Sequence, residues 1–257
     1  GRGSVSTLSE EIARLRGSRV LLVTDPGLLK TGIPEKVAAS IKGCDVFIYS
    51  DVESDPSVES VDACARYVVE QKIDLLIGLG GGSPIDSAKM IAVKRTRDIE
   101  VRDLKAPHQE DAPALPIVAI PTTAGTGSEA TRVTVITDAA TDEKMLCMGL
   151  AYLPSIAILD YELTLSKPAR LTADTGIDSL VHAVEAYVSR RANPYSDAAA
   201  LSAMRLIWPN LPLACADPGN RPAREALMLG ALQGGIAFSN ARSEEHTSEL
   251  QSPDLIS

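Results

Sequence analysis

The segment DLLIGLGGGSPIDSAKMIAV (residues 74–93) decides the fold class, because an apolar strand runs through consecutive glycines into a helix. The glycines at 80–82 let backbone N–H groups approach a ligand closely, and the N-terminus of the following helix favours negative charge. Ser83, Pro84 and Asp86 fit the N-cap, N1 and N3 positions of that helix. We therefore predict a pyrophosphate cradle; the alternative is a glycine-rich turn that only packs the strand on the helix.

Further short apolar runs place this segment in an alternating pattern. Strands are predicted for RVLLVTD (19–25), CDVFIYSDV (44–52), DLLIGLGGG (74–82), LPIVAIPTT (115–123) and TRVTVITD (131–138), with helical patterns between them, as at 57–71. Strands that alternate with helices predict a parallel α/β sheet. Because Ser83 stands where GxGxxG has its last glycine, a standard Rossmann dinucleotide fold is not the best fit.

Only helices are predicted after about residue 169. They cover 171–190, 195–216 and 221–240, and the second is expected to break at Pro209 and Pro212. The sequence thus predicts an α/β domain over 1–168, a helical domain over 169–241 and a cleft between them.

Composition excludes several classes of protein. The net charge of -9 leaves no excess of Lys and Arg to neutralise nucleic acid. No apolar run approaches the roughly 20 residues of a membrane span and no leader is visible, so we expect a cytoplasmic protein without nucleic-acid or membrane partners. The four cysteines lack CxxC spacing, which favours buried thiols over disulfides or a zinc site.

A second polar loop, PTTAGTGSEAT (121–131), follows the strand at 115–120. It carries glycines and the hydroxyls of Thr122, Thr123, Thr126 and Ser128. These groups are suited to wrap phosphate or nicotinamide-ribose oxygens, and an ordinary polar turn is the alternative.

Asp25 ends the strand at 19–25. A carboxylate there can accept hydrogen bonds from an adenosine ribose and repels a 2′-phosphate, which favours NAD over NADP. The alternative is an aspartate in the turn that precedes Pro26.

The helix LTADTGIDSLVHAVEAYVS (171–189) carries an apolar stripe with polar residues beside it. The stripe consists of Ile177, Leu180, Val181, Val184 and Val188. Asp178 and His182, four residues apart, lie on one face, so a carboxylate and an imidazole could hold one divalent metal ion. The alternative is an Asp–His pair that faces solvent.

Three segments together carry a family resemblance. GGGSPIDSAK (80–89), PTTAGTGSEAT (121–131) and TGIDSLVHAVEAYVS (175–189), in this order and spacing, closely resemble the iron-containing (group III) alcohol dehydrogenases. The resemblance covers about 1–241. It implies a dehydroquinate synthase-like fold, in which an α/β domain binds NAD, or NADP, and an all-α domain carries Fe(II), or Zn.

The resemblance also implies the site and the chemistry. Carried over by position, the dinucleotide would be lined by Asp25, Gly81, Gly82, Ser83, Asp86, Thr122, Thr123, Thr126, Ser128 and Lys144, and the first two metal ligands would be Asp178 and His182. The metal would act as a Lewis acid on a small alcohol or aldehyde during hydride transfer, without a protein nucleophile. We expect the full-length protein to be a homo-oligomer. The alternatives are a non-catalytic nucleotide-binding protein and a metal-free reductase of the same superfamily.

The sequence departs from this family after GIAFSNA (235–241). There the family continues with a Leu-Gly step and a His-rich stretch that supplies the remaining metal ligands, whereas here RSEEHTSELQS (242–252) follows. That text matches the translation of a common sequencing adapter, so we interpret 242–257 as an artefact joined to a truncated gene. His108 and His246 are therefore left out of the metal site, and this chain is not expected to turn over alcohol.

Truncation also predicts a packing defect. Apolar positions in 221–240 are expected to lack partners, namely Leu227, Leu229, Leu232, Ile236 and Phe238.

Overall fold

The computed structural model describes residues 1–241, in which strands give way to long helices. The strands are β1 (Arg19–Val23), β2 (Asp45–Tyr49), β3 (Leu75–Gly80), β4 (Ile117–Pro121), β5 (Val133–Asp138), β6 (Glu143–Met148) and β7 (Ile156–Ala157). The α-helices are α1 (Leu8–Arg14), α2 (Pro26–Leu29), α3 (Ile33–Ser40), α4 (Val58–Glu70), α5 (Gly82–Thr96), α6 (Ala169–Val188), α7 (Pro194–Ala216) and α8 (Arg221–Ala241). The 3₁₀ helices are Ser4–Thr7, Val101–Leu104, Ser128–Ala130, Leu150–Tyr152 and Tyr161–Thr164.

Five parallel strands form the main sheet in the order β2-β1-β3-β4-β7. Every residue of β3 and β4 is buried, because helices cover both faces of the sheet. One core joins β1 and β3 to α4 and α5, and the other joins the opposite face to α1 and α3. The predicted α/β architecture followed by helices is confirmed.

The strand predicted at 131–138 is not part of this sheet. The structure pairs β5 with β6 in an antiparallel two-stranded sheet, so membership of the parallel sheet was a wrong prediction. Burial alternates along β5, whereas it is continuous along β3. Alternation is typical of a strand with one covered face, which suits a hairpin rather than the middle of a parallel sheet.

The helical part consists of α6, α7 and α8, which pack against one another. The break predicted at Pro209 and Pro212 was wrong, because α7 continues through both prolines. Both prolines lie on the exposed side of the helix. The carbonyls that lose their usual N–H donors belong to Arg205 and Trp208, which are exposed as well. Water can satisfy those carbonyls there, so the missing donors are tolerated.

The apolar stripe of α6 is mostly exposed. Ile177 is 50% exposed and Val188 is 72% exposed, and Val181 and Val184 are exposed as well. The buried residues of α6 are small or polar, namely Thr172, Gly176, Ser179, Ala183 and Ala186. Small residues let the helices approach closely, so the contact face of α6 is not its most hydrophobic one.

The packing defect expected in 221–240 is largely absent. Leu227 and Phe238 are buried, Leu232 and Ile236 are half-buried, and only Leu229 of that set is exposed. The expectation failed because α8 packs on α6, α7 and the polar loop at 121–131.

The helices and cysteines bear on two further predictions from the sequence. None of the helices within 1–241 combines the length and apolar character that a bilayer crossing requires. All four cysteines are free; Cys64 and Cys147 are buried, while Cys44 and Cys215 are half-buried. The proposed artefact at 242–257 and His246 lie outside the described residues.

Candidate functional site

A cavity of about 490 Å³ lies where the glycine loop, the second loop and the helical part meet. Eight of the predicted site residues line it: Gly82, Ser83, Asp86, Thr126, Ser128, Lys144, Asp178 and His182. The structure therefore brings the predicted dinucleotide and metal residues to one place. Gly81, Thr122 and Asp25 do not line this cavity, and Thr123 lines a smaller neighbouring one.

The N-terminus of α5 opens directly from the glycine loop. The helix begins at Gly82 with Gly81 at the N-cap and no side-chain cap, so the predicted capping by Ser83 and Asp86 was wrong. The Ser83 hydroxyl instead donates to the carbonyl of Ser54. A helix start without a side-chain cap leaves its first N–H groups free to bind an anion, which suits a phosphate cradle.

Asp25 and the remaining loop residues lie just beside this cradle. A methyl group on Gly80, which has φ +153°, would lie 3.3 Å from Asp25 Oδ2. Asp25 also caps α2, because its Oδ1 accepts the Leu28 N–H at 2.8 Å. Asp25 therefore begins a short helix and does not lie in a simple turn, and its carboxylate is fixed at the edge of the glycine loop. Thr122 is anchored there too, since its N–H donates to the Gly80 carbonyl at 2.7 Å.

The second loop is seated on the helical part. Gly127 has φ +62°, and a methyl group on it would lie 2.7 Å from the Gly235 Cα of α8. No side chain fits between these two backbones, and the positive φ itself favours glycine. Within the loop, the Ser128 N–H donates to Thr126 Oγ1 at 3.3 Å.

Two charged side chains of α5, the half-buried Asp86 and the fully buried Lys89, lie beside the same loop. The Asp86 carboxylate accepts the Ser128 hydroxyl at 2.5 Å and the Val135 N–H at 3.1 Å. Lys89 is fully buried, with Nζ 3.8 Å from Asp86 Oδ1. Burial lowers the pKa of Lys89 to about 8 and raises the pKa of Asp86, while each charge opposes the shift of the other.

Glu129 lies close to Lys89, and we refer to Asp86, Lys89 and Glu129 as the charged cluster. Its side chain is buried, and burial raises its pKa to about 7 although the nearby Lys89 charge opposes that shift. The cluster therefore consists of two carboxyl groups and one ammonium group, which lie beside the second loop.

Asp178 and His182 face each other across one turn of α6. His182 Nε2 lies 3.6 Å from Asp178 Oδ1, and the His182 ring is 4.9 Å from the Phe238 ring of α8. Within 1–241 no group of three or more His, Cys, Asp or Glu side chains is placed to hold a metal ion. His108 lies instead near Glu110, at 3.9 Å.

Eight residues that line the cavity were missed by the sequence interpretation, and two of them, Asp55 and Phe238, contact predicted site residues. Asp55 pairs with Lys144 at 3.0 Å, and Phe238 lies against His182. Asp55 follows β2 at the carboxyl edge of the sheet, where ligands bind in open α/β folds, and this position was the available signal. Phe238 had no such signal, since it reads as an ordinary core residue.

Family models match nearly the whole chain. The model "Iron-containing alcohol dehydrogenase" covers residues 1–161, and "Fe-containing alcohol dehydrogenase family, C-terminal" covers 172–247. The chain belongs to the iron-containing alcohol dehydrogenase family. The resemblance inferred from the three motifs is therefore confirmed.

Individual members of this iron-containing alcohol dehydrogenase family are similar along the chain. "NAD-dependent methanol dehydrogenase" of Bacillus methanolicus is 40% identical over 93% of this chain and 64% of its own length. The crystal structure of a 1,3-propanediol oxidoreductase matches with a TM-score of 0.91 at 40% identity, covering 94% of this chain and 64% of that one. The sulfoacetaldehyde reductase of Bifidobacterium kashiwanohense in complex with NAD⁺ matches with a TM-score of 0.89 at 32% identity, covering 95% and 65%. This chain thus spans less than two thirds of these relatives.

Proposed function

We propose that this chain is the dinucleotide-binding part, with two metal donors, of an NAD-dependent alcohol dehydrogenase. Its substrates would be small primary or secondary alcohols and the matching aldehydes or ketones. The observation that carries the proposal is the shared cavity, where the uncapped start of α5 and the hydroxyl loop face Asp178 and His182. The proposal divides the chain into an α/β unit at 1–168 and a helical unit at 169–241.

The residues of the cavity have distinct tasks in this proposal. The N–H groups at the start of α5 bind the pyrophosphate, and Thr126 extends that cradle. Lys144 adds a positive charge at the mouth of the cavity, where Asp55 orients its ammonium. The bound nicotinamide supplies the hydride acceptor or donor. The nucleotide residues and the metal donors line one open cavity, and this common location would position the reactants.

Asp178 and His182 fit two positions of a divalent-metal shell. Carboxylate oxygen and imidazole nitrogen suit iron and zinc alike, and both side chains reach the cavity. A metal ion held there supplies Lewis-acid polarisation of the substrate oxygen. Within residues 1–241, no third His, Cys, Asp or Glu side chain joins this pair in a group that could hold a metal ion, so nucleotide binding is the function that we propose for the described residues.

Asp25 supports NAD as the dinucleotide. Its carboxylate is held beside the glycine loop, where it repels a 2′-phosphate. Burial lowers the pKa of Lys167, and the nearby Asp25 charge opposes that shift. The Lys167 ammonium therefore offsets part of the repulsion between Asp25 and a 2′-phosphate.

NADH titration and metal retention test the proposal together. We expect the purified chain to bind NADH, measured by nicotinamide fluorescence, and to bind Zn²⁺ in equilibrium dialysis. Asp178→Asn should weaken Zn²⁺ binding at least about tenfold, because the carboxylate is one of two donors. Asp174→Asn, one turn earlier on α6 and paired with Arg170, is the matched control and should change nothing.

The two alternatives give other outcomes. A non-catalytic nucleotide-binding protein would bind NADH, but Zn²⁺ binding would be no weaker in Asp178→Asn than in Asp174→Asn. A metal-free reductase would reduce a carbonyl substrate in the presence of a chelator and after Asp178→Ala. Absence of NADH binding would refute the proposal itself.

A further inference from the structure

Lys89 is the most deeply buried charge of the cluster, yet it does not line the cavity. It cannot touch a ligand directly from its place inside α5. Burying an ammonium costs several kcal/mol, and an apolar side chain would join α5 to β5 at less cost. We therefore look for the role of the Lys89 charge in its effect on the neighbouring polar groups.

The hydrogen bonds and the ion pair of the Lys89 ammonium all involve oxygen atoms. Lys89 Nζ donates to Val133 O at 2.7 Å and to Thr131 Oγ1 at 3.1 Å, and it lies 3.8 Å from Asp86 Oδ1. A positive charge at this distance favours the ionised form of the Asp86 carboxyl group. Ionised Asp86 is an acceptor only, and the Val135 N–H already donates to its Oδ2.

The hydrogen-bond direction at Ser128 follows from this. A serine hydroxyl has one proton, and beside an acceptor-only carboxylate that proton must point to Asp86, at 2.5 Å. Ser128 therefore presents lone pairs to the cavity. Thr126 has the opposite polarity: its oxygen accepts the Ser128 N–H at 3.3 Å, so its own proton is free for a ligand oxygen.

We propose that Lys89 is a positioning residue, which commits the Ser128 proton to Asp86 and so makes Ser128 an acceptor for a neutral donor of the dinucleotide. The donor is a hydroxyl of the nicotinamide ribose or the nicotinamide carboxamide, and the inference rests on the proposed function. The cavity then has two ends of different chemistry. The end formed by Gly82 and Thr126 donates to phosphate, while the end formed by Asp86 and Ser128 accepts from O–H or N–H groups.

Binding of nucleotide fragments tests this polarity. Ser128→Ala should weaken NADH binding about tenfold, the loss of one hydrogen bond of about 1.4 kcal/mol, and should leave ADP binding unchanged. The matched variant Thr126→Val should weaken ADP and NADH alike. Equal weakening of ADP and NADH by Ser128→Ala would assign Ser128 to the ADP half of the dinucleotide and overturn the proposal, as would no change for either ligand.

Two further probes identify the donor group. ADP-ribose keeps both riboses without the nicotinamide, and 3-acetylpyridine adenine dinucleotide keeps the riboses without the carboxamide N–H groups. If the donor is a ribose hydroxyl, Ser128→Ala weakens the binding of both probes. If it is the carboxamide, the variant leaves both unchanged while NADH binding falls.

Variants of the buried pair test the role of Lys89. Lys89→Met should reproduce the Ser128→Ala pattern, with NADH weakened and ADP spared. The control is Lys94→Met on the same helix, which removes an ammonium that pairs with Asp62 at 3.0 Å away from the cavity. Equal loss of NADH and ADP in Lys89→Met would show a merely structural role and overturn the proposal.

Asp86→Asn keeps the test open should Lys89→Met fail to fold. The introduced asparagine must use its side-chain oxygen for the Val135 N–H, so its amide N–H₂ turns to Ser128 and the serine proton is released to the cavity. NADH binding should then fall while ADP binding is kept, and unchanged NADH binding would contradict the proposal. If the unmodified chain binds neither ligand, the proposed function fails instead.

Discussion

The α/β part and the helical part of this molecule bury different kinds of side chain. In the central strands β3 and β4, the large aliphatic residues are fully buried. On α6 the residues of the contact face are small, while Ile177, Val181 and Val184 are exposed within the described chain. Hydrophobicity therefore identifies the core correctly in one part and misidentifies the contact face in the other.

The largest expected effect comes from one residue type placed in both parts. Ile77 in the middle of β3 is fully buried, and Ile177 on α6 is 50% exposed. Ile77→Ala should lower the free energy of unfolding by about 3–4 kcal/mol, because it opens a cavity in a packed core. Ile177→Ala should cost less than about 1 kcal/mol, since it removes little buried area and alanine favours helix.

Denaturant unfolding of the two isoleucine variants measures this difference. Similar losses in both variants would show that the apolar stripe of α6 is covered in solution, and the contrast between the two parts would fail. A small loss in Ile77→Ala would show instead that the α/β core is loosely packed.

The sequence was informative wherever the decisive neighbours are close in the chain. The glycine loop, the hydroxyl loop and the Asp178–His182 pair are each local patterns, and all three reach one cavity as expected. Four of the five predicted strands joined one parallel sheet because continuous apolar runs need cover on both faces.

Contacts between distant residues could not be foreseen in the same way. The Asp55–Lys144 ion pair and the hydrogen bond from Lys89 to Val133 depend on how remote segments fold together. The capping prediction at Ser83 failed because the serine found a distant partner, the Ser54 carbonyl. Helix caps compete with such long-range contacts, and local pattern alone does not decide between them.

A buried carboxyl group of the α/β part should make stability depend on pH. The pKa of Glu129 rises from 4.5 to about 7 on folding because the side chain is buried. The folded state then holds the extra proton, so its contribution to stability is complete below pH 4.5 and is lost as pH rises through 7. The loss amounts to roughly 3 kcal/mol from the size of the pKa shift.

Glu129→Gln tests this pH dependence. The variant carries no titrating group at this position, so the stability difference between it and the unmodified chain should shift by roughly 3 kcal/mol in favour of the variant between pH 4.5 and pH 8. Glu225→Gln, at an exposed position of α8, is the control and should leave the profile unchanged. Parallel profiles for the unmodified chain and Glu129→Gln would show that Glu129 titrates normally and is therefore accessible to water.

The smallest expected effect concerns the place where the two parts touch. A methyl group on Gly235 would lie 2.6 Å from the Gly127 carbonyl oxygen, so Gly235→Ala must push the second loop away from α8. We expect a loss of about 1–2 kcal/mol in unfolding free energy together with weaker NADH binding, because Thr126 and Ser128 move with the loop.

Gly219→Ala, whose methyl group would meet only the end of the Asp217 side chain, is the control and should leave NADH binding intact. If Gly235→Ala lowers stability but spares NADH binding, the helical part merely supports the loop. A joint loss would show that α8 sets the geometry of the nucleotide cavity, so the helical part controls the loop that the α/β part contributes to the site.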